Sequence, residues 1–306
     1  MKFLKVAAVA VTAVLLASNA IARDIEHELG TTTVPDVPER IVVLEFSFID
    51  GLASVGVAPV GIADDNKRER VIPAYIEVIG DDWVSVGTRA TPSLEVIASL
   101  SPDLIIADLS RHAEAYDTLS EIAPTIVLNS LGGNYYDAVE QMSVIGEAIG
   151  KPEEMEARIE EHQATMATFA EQVASRAAGL TAQFGVTRTD ALSLHSPVSY
   201  NGSLLAMLGF ETAMEAPQDG GVRETNYVSA SLEQLSEINP DILIFGAYTD
   251  PSIEQTWESE ALYQGMTAVQ QDHVFQVTAH NWSRLRGMLA AELTAADLSA
   301  ILDQLD

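Results

Sequence analysis

The chain has 306 residues, 47% of them hydrophobic and 20% charged, enough apolar material for one large core or two ordinary ones. Its formal charge of −29 argues against nucleic acid and anionic lipid as partners, because such a field repels both. There is no cysteine, which excludes disulfides, thiolate metal sites, cysteine nucleophiles and an acylated cysteine anchor together.

Residues 1–22 read as a cleavable export signal. Lys2 and Lys5 form a basic start, residues 6–17 are an apolar run too short to span a bilayer, and Ala20-Ile21-Ala22 fits the small-x-small cleavage rule. The mature chain is expected to begin at Arg23, to carry −31 once Lys2 and Lys5 are lost from −29, and to be free in a bacterial periplasm with no lipid anchor.

A first lobe is expected over residues 23–150. "RIVVL" at 40–44, a strand at 60–63, "PDLIIA" at 102–107 and "TIVL" at 125–128 alternate with helical patterns such as 47–55. That alternation predicts a parallel sheet with helices on its faces. Residues 151–177 follow as a linker helix. Met155, Ile159, His162, Met166, Phe169 and Val173 recur at steps of 4 and 3, one mostly apolar stripe along roughly 40 Å. The plain alternative is a long core helix. A second α/β lobe is expected over 178–306, with "QFGVT" at 183–187, a helix at 203–208 and "VFQVT" at 274–278. The fold class is therefore α/β, two parallel-sheet lobes joined by a single long helix whose continuity limits opening to a few degrees.

One unit occurs in both lobes. "SLEVIASLSPDLIIA" begins at Ser93 and "SLEQLSEINPDILIFGA" at Ser231, a spacing of 138 that suits one copy per lobe and no solenoid. Thr91-Pro92 and Ser229-Ala230 are expected to cap the short helices, with Glu95 and Glu233 in their first turns. Two readings of these glutamates stay open: complements to the helix dipole on a solvated face, or contacts for a partner.

Ligands of open parallel sheets bind beyond the carboxyl ends of the strands. Arg111, Arg188, Arg284 and Arg286 fall there, and Arg89 lies in the loop before the first repeated helix. A guanidinium fork suits carboxylate or phosphate, so these five predict a cleft for a polyanionic small molecule. The alternative for each is an ion pair with one of the abundant acids. Tyr116, Tyr135, Tyr136, Tyr200 and Trp282 are candidate pocket walls. His112, His195 and His280 also lie beside strand ends, either as metal ligands or as hydrogen-bonded neighbours, but without an HxH or HxxxH spacing no metal site is assigned. G-x-S-x-G, Walker A, G-x-G-x-x-G and H-E-x-x-H are all missing, and no catalytic residue is assigned.

The paired units, together with "VVLEFSF", "GIADDN", "SVGTRATPSLE", "FGVTR", "NGSLLAMLGF" and "WSRLRGMLAAE", resemble the substrate-binding proteins of iron-siderophore and cobalamin ABC importers, and among them the ferric-citrate receptors. The resemblance covers nearly all of residues 40–291. It implies a rigid two-lobed, monomeric receptor without resident cofactor, which holds iron(III) only inside a citrate complex. It also implies that Glu95 and Glu233 dock on the two subunits of an inner-membrane permease. Segments 131–136 and 213–227 depart from the resemblance and are expected to border the cleft, with Arg223 as an added contact. Another ferric carboxylate siderophore, an exported enzyme for an anionic metabolite, and a ligand sensor docking elsewhere are the alternatives.

Overall fold

The computed structural model describes residues 22–305, so all of the expected export signal except Ala22 lies outside the described residues. Strands β1 (Ala22–His27) and β2 (Gly30–Pro35) form an antiparallel hairpin. The first lobe is then built on β3 (Ile41–Val43), β4 (Gly61–Ile62), β5 (Val84–Ser85), β6 (Leu104–Asp108) and β7 (Thr125–Leu128). They lie in the order β5-β4-β3-β6-β7 with every neighbouring pair parallel. β3, β6 and β7 are buried along their whole length, as expected for a sheet covered on both faces.

The second lobe holds β8 (Thr181–Thr187), β9 (Leu192–His195), β10 (Glu211–Thr212), β11 (Tyr227–Ala230), β12 (Ile242–Ala247) and β13 (Val274–Gln276). Its order is β11-β9-β8-β12-β13, with β10 beside the start of β8. This second sheet is parallel through β10, β8, β12 and β13, as expected, but not throughout. β9 runs antiparallel to both β8 and β11, so the sheet is mixed. The reason is local: residues 188–191 form a tight hairpin, closed by the Arg188 N–H to the Ala191 carbonyl at 2.9 Å, far too short for a parallel crossover.

The repeated unit has the same anatomy in both lobes. The N-caps are Ser93 and Ser231, not the residues two positions earlier, because their hydroxyls accept the backbone N–H of Val96 and Gln234. Ser101 and Asn239 then take left-handed backbone, each at φ 46°, one residue before Pro102 and Pro240. The following aspartates pin a neighbouring strand. Asp103 accepts the N–H groups of Glu39 and Arg40 at 2.8 Å, and Asp241 accepts the Thr181 backbone N–H at 2.9 Å and its hydroxyl O–H at 2.7 Å.

The linker is a 26-residue helix, Pro152–Ala177, about 39 Å long at 1.5 Å per residue. Its stripe is buried except for the half-buried Phe169. Two other helices share the bridging. In each of Tyr135–Ala148, Pro152–Ala177 and Met288–Leu302, one end packs in the first lobe's core and the other in the second's. Met142, Met155 and Met288 belong to the former; Tyr135, Met166 and Leu298 belong to the latter. Polar bonds lock the junction. Glu292 accepts from Arg158 at 2.7 Å and pairs with His162 Nδ1 at 2.7 Å, while His162 Nε2 meets the Tyr135 hydroxyl at 2.9 Å. Asp50, in the buried helix Phe46–Ser54, accepts the N–H groups of Leu289 and Ala290 and so caps the C-terminal helix from the first lobe. Among the described residues no helix is long and apolar enough to cross a membrane.

Candidate functional site

Loops at the carboxyl ends of β4, β5, β6, β8, β12 and β13 face one another across a cavity of about 740 Å³. All five arginines singled out from the sequence line it: Arg89, Arg111, Arg188, Arg284 and Arg286. Lys67, Arg70 and Arg223 join them, and the only carboxylate among the lining residues is Asp65. A hollow of about 880 Å³ outside the second lobe, over Glu233, is lined by Asp190, Glu233 and Glu260 and by no cation. Its charge rules it out as an anion site, whatever its size.

The first lobe's half of the cleft is an assembled salt-bridge network. Glu45 stands two residues past the end of β3 and is 1% exposed. Arg89 Nη1 donates to one of its oxygens at 2.9 Å and Arg111 Nε to the other. Burial opposes the ionisation of Glu45, but Arg89, Arg111 and Arg286 outweigh it and hold its carboxyl below the ordinary range. Arg89 turns its remaining donors to Asp65, with Nη2 at 3.1 Å, and Asp65 also pairs with Arg70. Partial burial likewise disfavours charge on Asp65. Hydrogen bonds and charge from Arg89, helped by Arg70, nonetheless bring it down to about 2. Arg89 is 6% exposed, and each of its guanidinium nitrogens already meets a carboxylate of its own lobe while the residue lines the cavity.

Below this network Asp108 accepts the N–H groups of Arg111, Ser130 and Leu131. Burial, with the charge of Glu45 second, pushes its carboxyl up to about 6. His112 accepts the Asp108 N–H at Nδ1, 2.9 Å, and so donates through Nε2 to the Arg89 carbonyl at 2.7 Å. Burial lowers its pKa, so it holds the arginine loop in place as a neutral ring.

The second lobe's half presents cations against tyrosines. The guanidiniums of Arg188 and Arg284 lie 5.2 and 4.9 Å from the ring centre of Tyr248, and Arg284 Nε donates to its hydroxyl at 2.7 Å. Arg286 donates to the Tyr227 hydroxyl at 2.8 Å. Arg188 and Arg223 are in no ion pair among the described residues. The two segments that depart from the resemblance meet at this end. Tyr227 donates to the Leu131 carbonyl at 3.3 Å and Asn226 to that of Gly132 at 3.1 Å, while Leu131, Arg223 and Tyr227 line the cavity.

The three histidines do not converge. His195 stacks edge-on against Phe184 and Tyr227, and burial with Arg286 brings it down to about 3. His280 meets the Arg70 carbonyl at 2.7 Å, and burial lowers it to about 4. Among the described residues no group of three or more histidine or carboxylate side chains is placed to hold a metal ion. None of the five expected aromatics lines the cleft. Trp282 is 1% exposed, packs on Phe184 and donates to Asp297 at 2.8 Å, so it belongs to the core. Tyr227 and Tyr248 take the expected wall positions. Tyr248 stands next to the end of β12, and Asp65 three residues past β4, so the strand-end rule would have found both. Glu95 and Glu233 are exposed on their short helices, outside the cleft lining.

Comparison with known proteins agrees with this architecture. Residues 41–280 match the periplasmic binding protein family. The chain is 42% identical to the Fe(3+) dicitrate-binding periplasmic protein FecB of Escherichia coli, over 92% of this chain and 91% of that one. It is 38% identical to the Fe(3+)-citrate-binding protein YfmC of Bacillus subtilis, over 90% and 85%. Staphylococcus aureus SirA, solved with staphyloferrin B, superposes with a TM-score of 0.78 at 26% identity, covering 92% of this chain and 98% of that one. The family and these relatives are named as binding proteins, which sets aside the exported-enzyme alternative. The family match over residues 41–280 and the identity of 42% over 92% of the chain together show that the chain belongs to the periplasmic binding protein family.

Proposed function

We propose that this chain is the extracytoplasmic receptor of an ABC importer and that it captures ferric citrate between its lobes. The observation that carries the reading is the local reversal of charge. In a chain of net −29, eight cationic side chains from both lobes line one cavity that has a single lining carboxylate. Long-range repulsion of an anion is screened within about 8 Å at physiological salt, whereas arginines in a partly dry cleft are screened much less. Relatives named for ferric dicitrate and ferric citrate, at 42% and 38% identity, supply the ligand.

Iron(III) enters already wrapped in citrate, because bare guanidiniums repel a cation and bind carboxylates. Arg188, Arg223, Arg284 and Arg286 meet the citrate from the second lobe, and Arg111 with Arg70 from the first. Glu95 and Glu233, one on each lobe's outer surface, engage the two permease subunits. The receptor works as a monomer, freed into the periplasm by cleavage before Arg23. A relative described as a putative lipoprotein shares 36% identity, so the mass of the exported protein is the check on that last point.

Native mass spectrometry of the mature protein mixed with ferric citrate tests the ligand. One complex per chain is expected, with no binding of a neutral ferric hydroxamate, which would leave the arginines desolvated and unpaired. Tight hydroxamate binding would overturn the anion-cleft reading. Preference for a different ferric carboxylate siderophore would keep the cleft and change its occupant.

A further inference from the structure

Asp65 is the one acid among the residues lining the cleft, and its placement is elaborate. It sits past β4 in left-handed backbone at φ 63°, followed by Asn66 at 56°, a conformation that Asp and Asn tolerate better than other side chains. Its N–H is held by the Gly87 carbonyl at 3.1 Å, and the neighbouring Asp64 accepts the Asn66 N–H at 2.9 Å. The carboxylate this turn presents is shared between lobes. Arg70 and Arg89 of its own lobe donate to it, and Arg284 Nη1 reaches it from the second lobe at 2.9 Å. It therefore occupies a donor of a cleft arginine, the position a ligand carboxylate would take.

We propose that Asp65 is the cleft's internal counter-ion: it holds Arg284 across the lobes while the site is empty and yields that guanidinium to a ligand carboxylate on binding. The proposal rests on the anion-cleft reading above. Exchange of one carboxylate for another keeps Arg284 paired throughout, so no buried charge is left alone at any stage. A neutral ligand has nothing to offer in exchange, and Asp65 thus selects for ligands that bring their own negative charge. Arg89 and Arg70 keep Asp65 compensated after it releases Arg284, because both come from its own lobe.

The test is a double-mutant cycle read by calorimetric titration with ferric citrate. Asp65→Asn should tighten binding at least fivefold in the wild-type background, since Arg284 no longer has to be vacated. In an Arg284→Ala background the same change should shift affinity less than twofold. A gain of equal size in both backgrounds would mean a general charge effect, and a loss would mean that Asp65 merely props up its neighbours. Either result overturns the exchange. A second measurement needs no variant: the carboxyl ¹³C resonance of Asp65 in the wild-type protein should move on addition of gallium(III) citrate, a diamagnetic stand-in. An unchanged resonance in a demonstrably bound sample also overturns it. Absence of any ferric citrate binding by the wild-type protein would instead remove the parent reading, and this proposal with it.

Discussion

The two walls of the cleft use the same residue type to different ends. In the first lobe, Arg89 and Arg111 are tied to the buried Glu45, and Arg89 again to Asp65. In the second, Arg188 and Arg284 lie against Tyr248, Arg286 leans on Tyr227, and Arg188 has no carboxylate partner among the described residues. Arg89, with every guanidinium nitrogen bonded to the protein, supports its surroundings, whereas Arg111, which spends only Nε on Glu45, and the arginines leaning on aromatic rings keep donors for an incoming anion. Counting arginines at strand ends locates a cleft. Asking what each is already bonded to divides framework from contact.

The strongest way to break this comparison is to remove Glu45. Glu45→Ala leaves Arg89 buried with one counter-ion fewer and Arg111 with none, and is expected to cost about 3–5 kcal/mol of stability, read by urea unfolding. A cost below about 1 kcal/mol would show that the first wall is no framework. The opposite wall should behave in reverse. Arg188→Ala is expected to weaken ferric citrate binding at least tenfold, about 1.4 kcal/mol or more, with little change in unfolding midpoint. Equal loss of affinity and stability there would erase the distinction.

Acid crowding in the first wall also gives a pH signature. The folded-state pKa of Asp108 is raised to about 6 from an ordinary 3.8, so the folded state binds the extra proton. Its contribution to stability is present at low pH and is lost as pH rises through about 4 to 6. Relative to Asp108→Asn, which does not titrate, the wild-type protein should lose about 1–1.5 kcal/mol between pH 5 and 7. Asp65 has the opposite sign: with its carboxyl brought down to about 2, its contribution is present above pH 4 and disappears toward pH 2. The smallest effect on binding is expected far from both walls. Changing Glu95 and Glu233 to arginine should leave ferric citrate affinity within about threefold while abolishing uptake. Normal uptake by that variant would return both residues to the role of helix-dipole complements.

Much of this was legible because some signals are local. Ser-Leu-Glu, a helical run and Pro-Asp contain their own cap, stop and strand start, and the unit reads the same at residue 93 and at residue 231. The strand-end rule picked out four arginines, and the loop before the first repeated helix a fifth, all lining one cavity, without any knowledge of distance. The rest depends on partners distant in sequence. Glu45 stands 44 residues from Arg89 and 66 from Arg111, and among 45 acids no sequence pattern marks it out. Strand direction in the second lobe was hidden because a buried strand shows the same apolar run either way; only the brevity of residues 188–191 betrays the hairpin. Trp282 misled because a strand end supplies core residues as readily as cleft residues.

Three helices, each rooted in both cores, restrain the two lobes from swinging independently. A jaw that cannot swing loses little freedom when it catches its cargo, which favours capture at low concentration. The same stiffness makes the protein a poor donor. A partner that engages both lobes, as proposed for Glu95 and Glu233, would have to supply the work of prising the walls apart. For such a carrier the work of transport is moved out of the carrier and into its delivery.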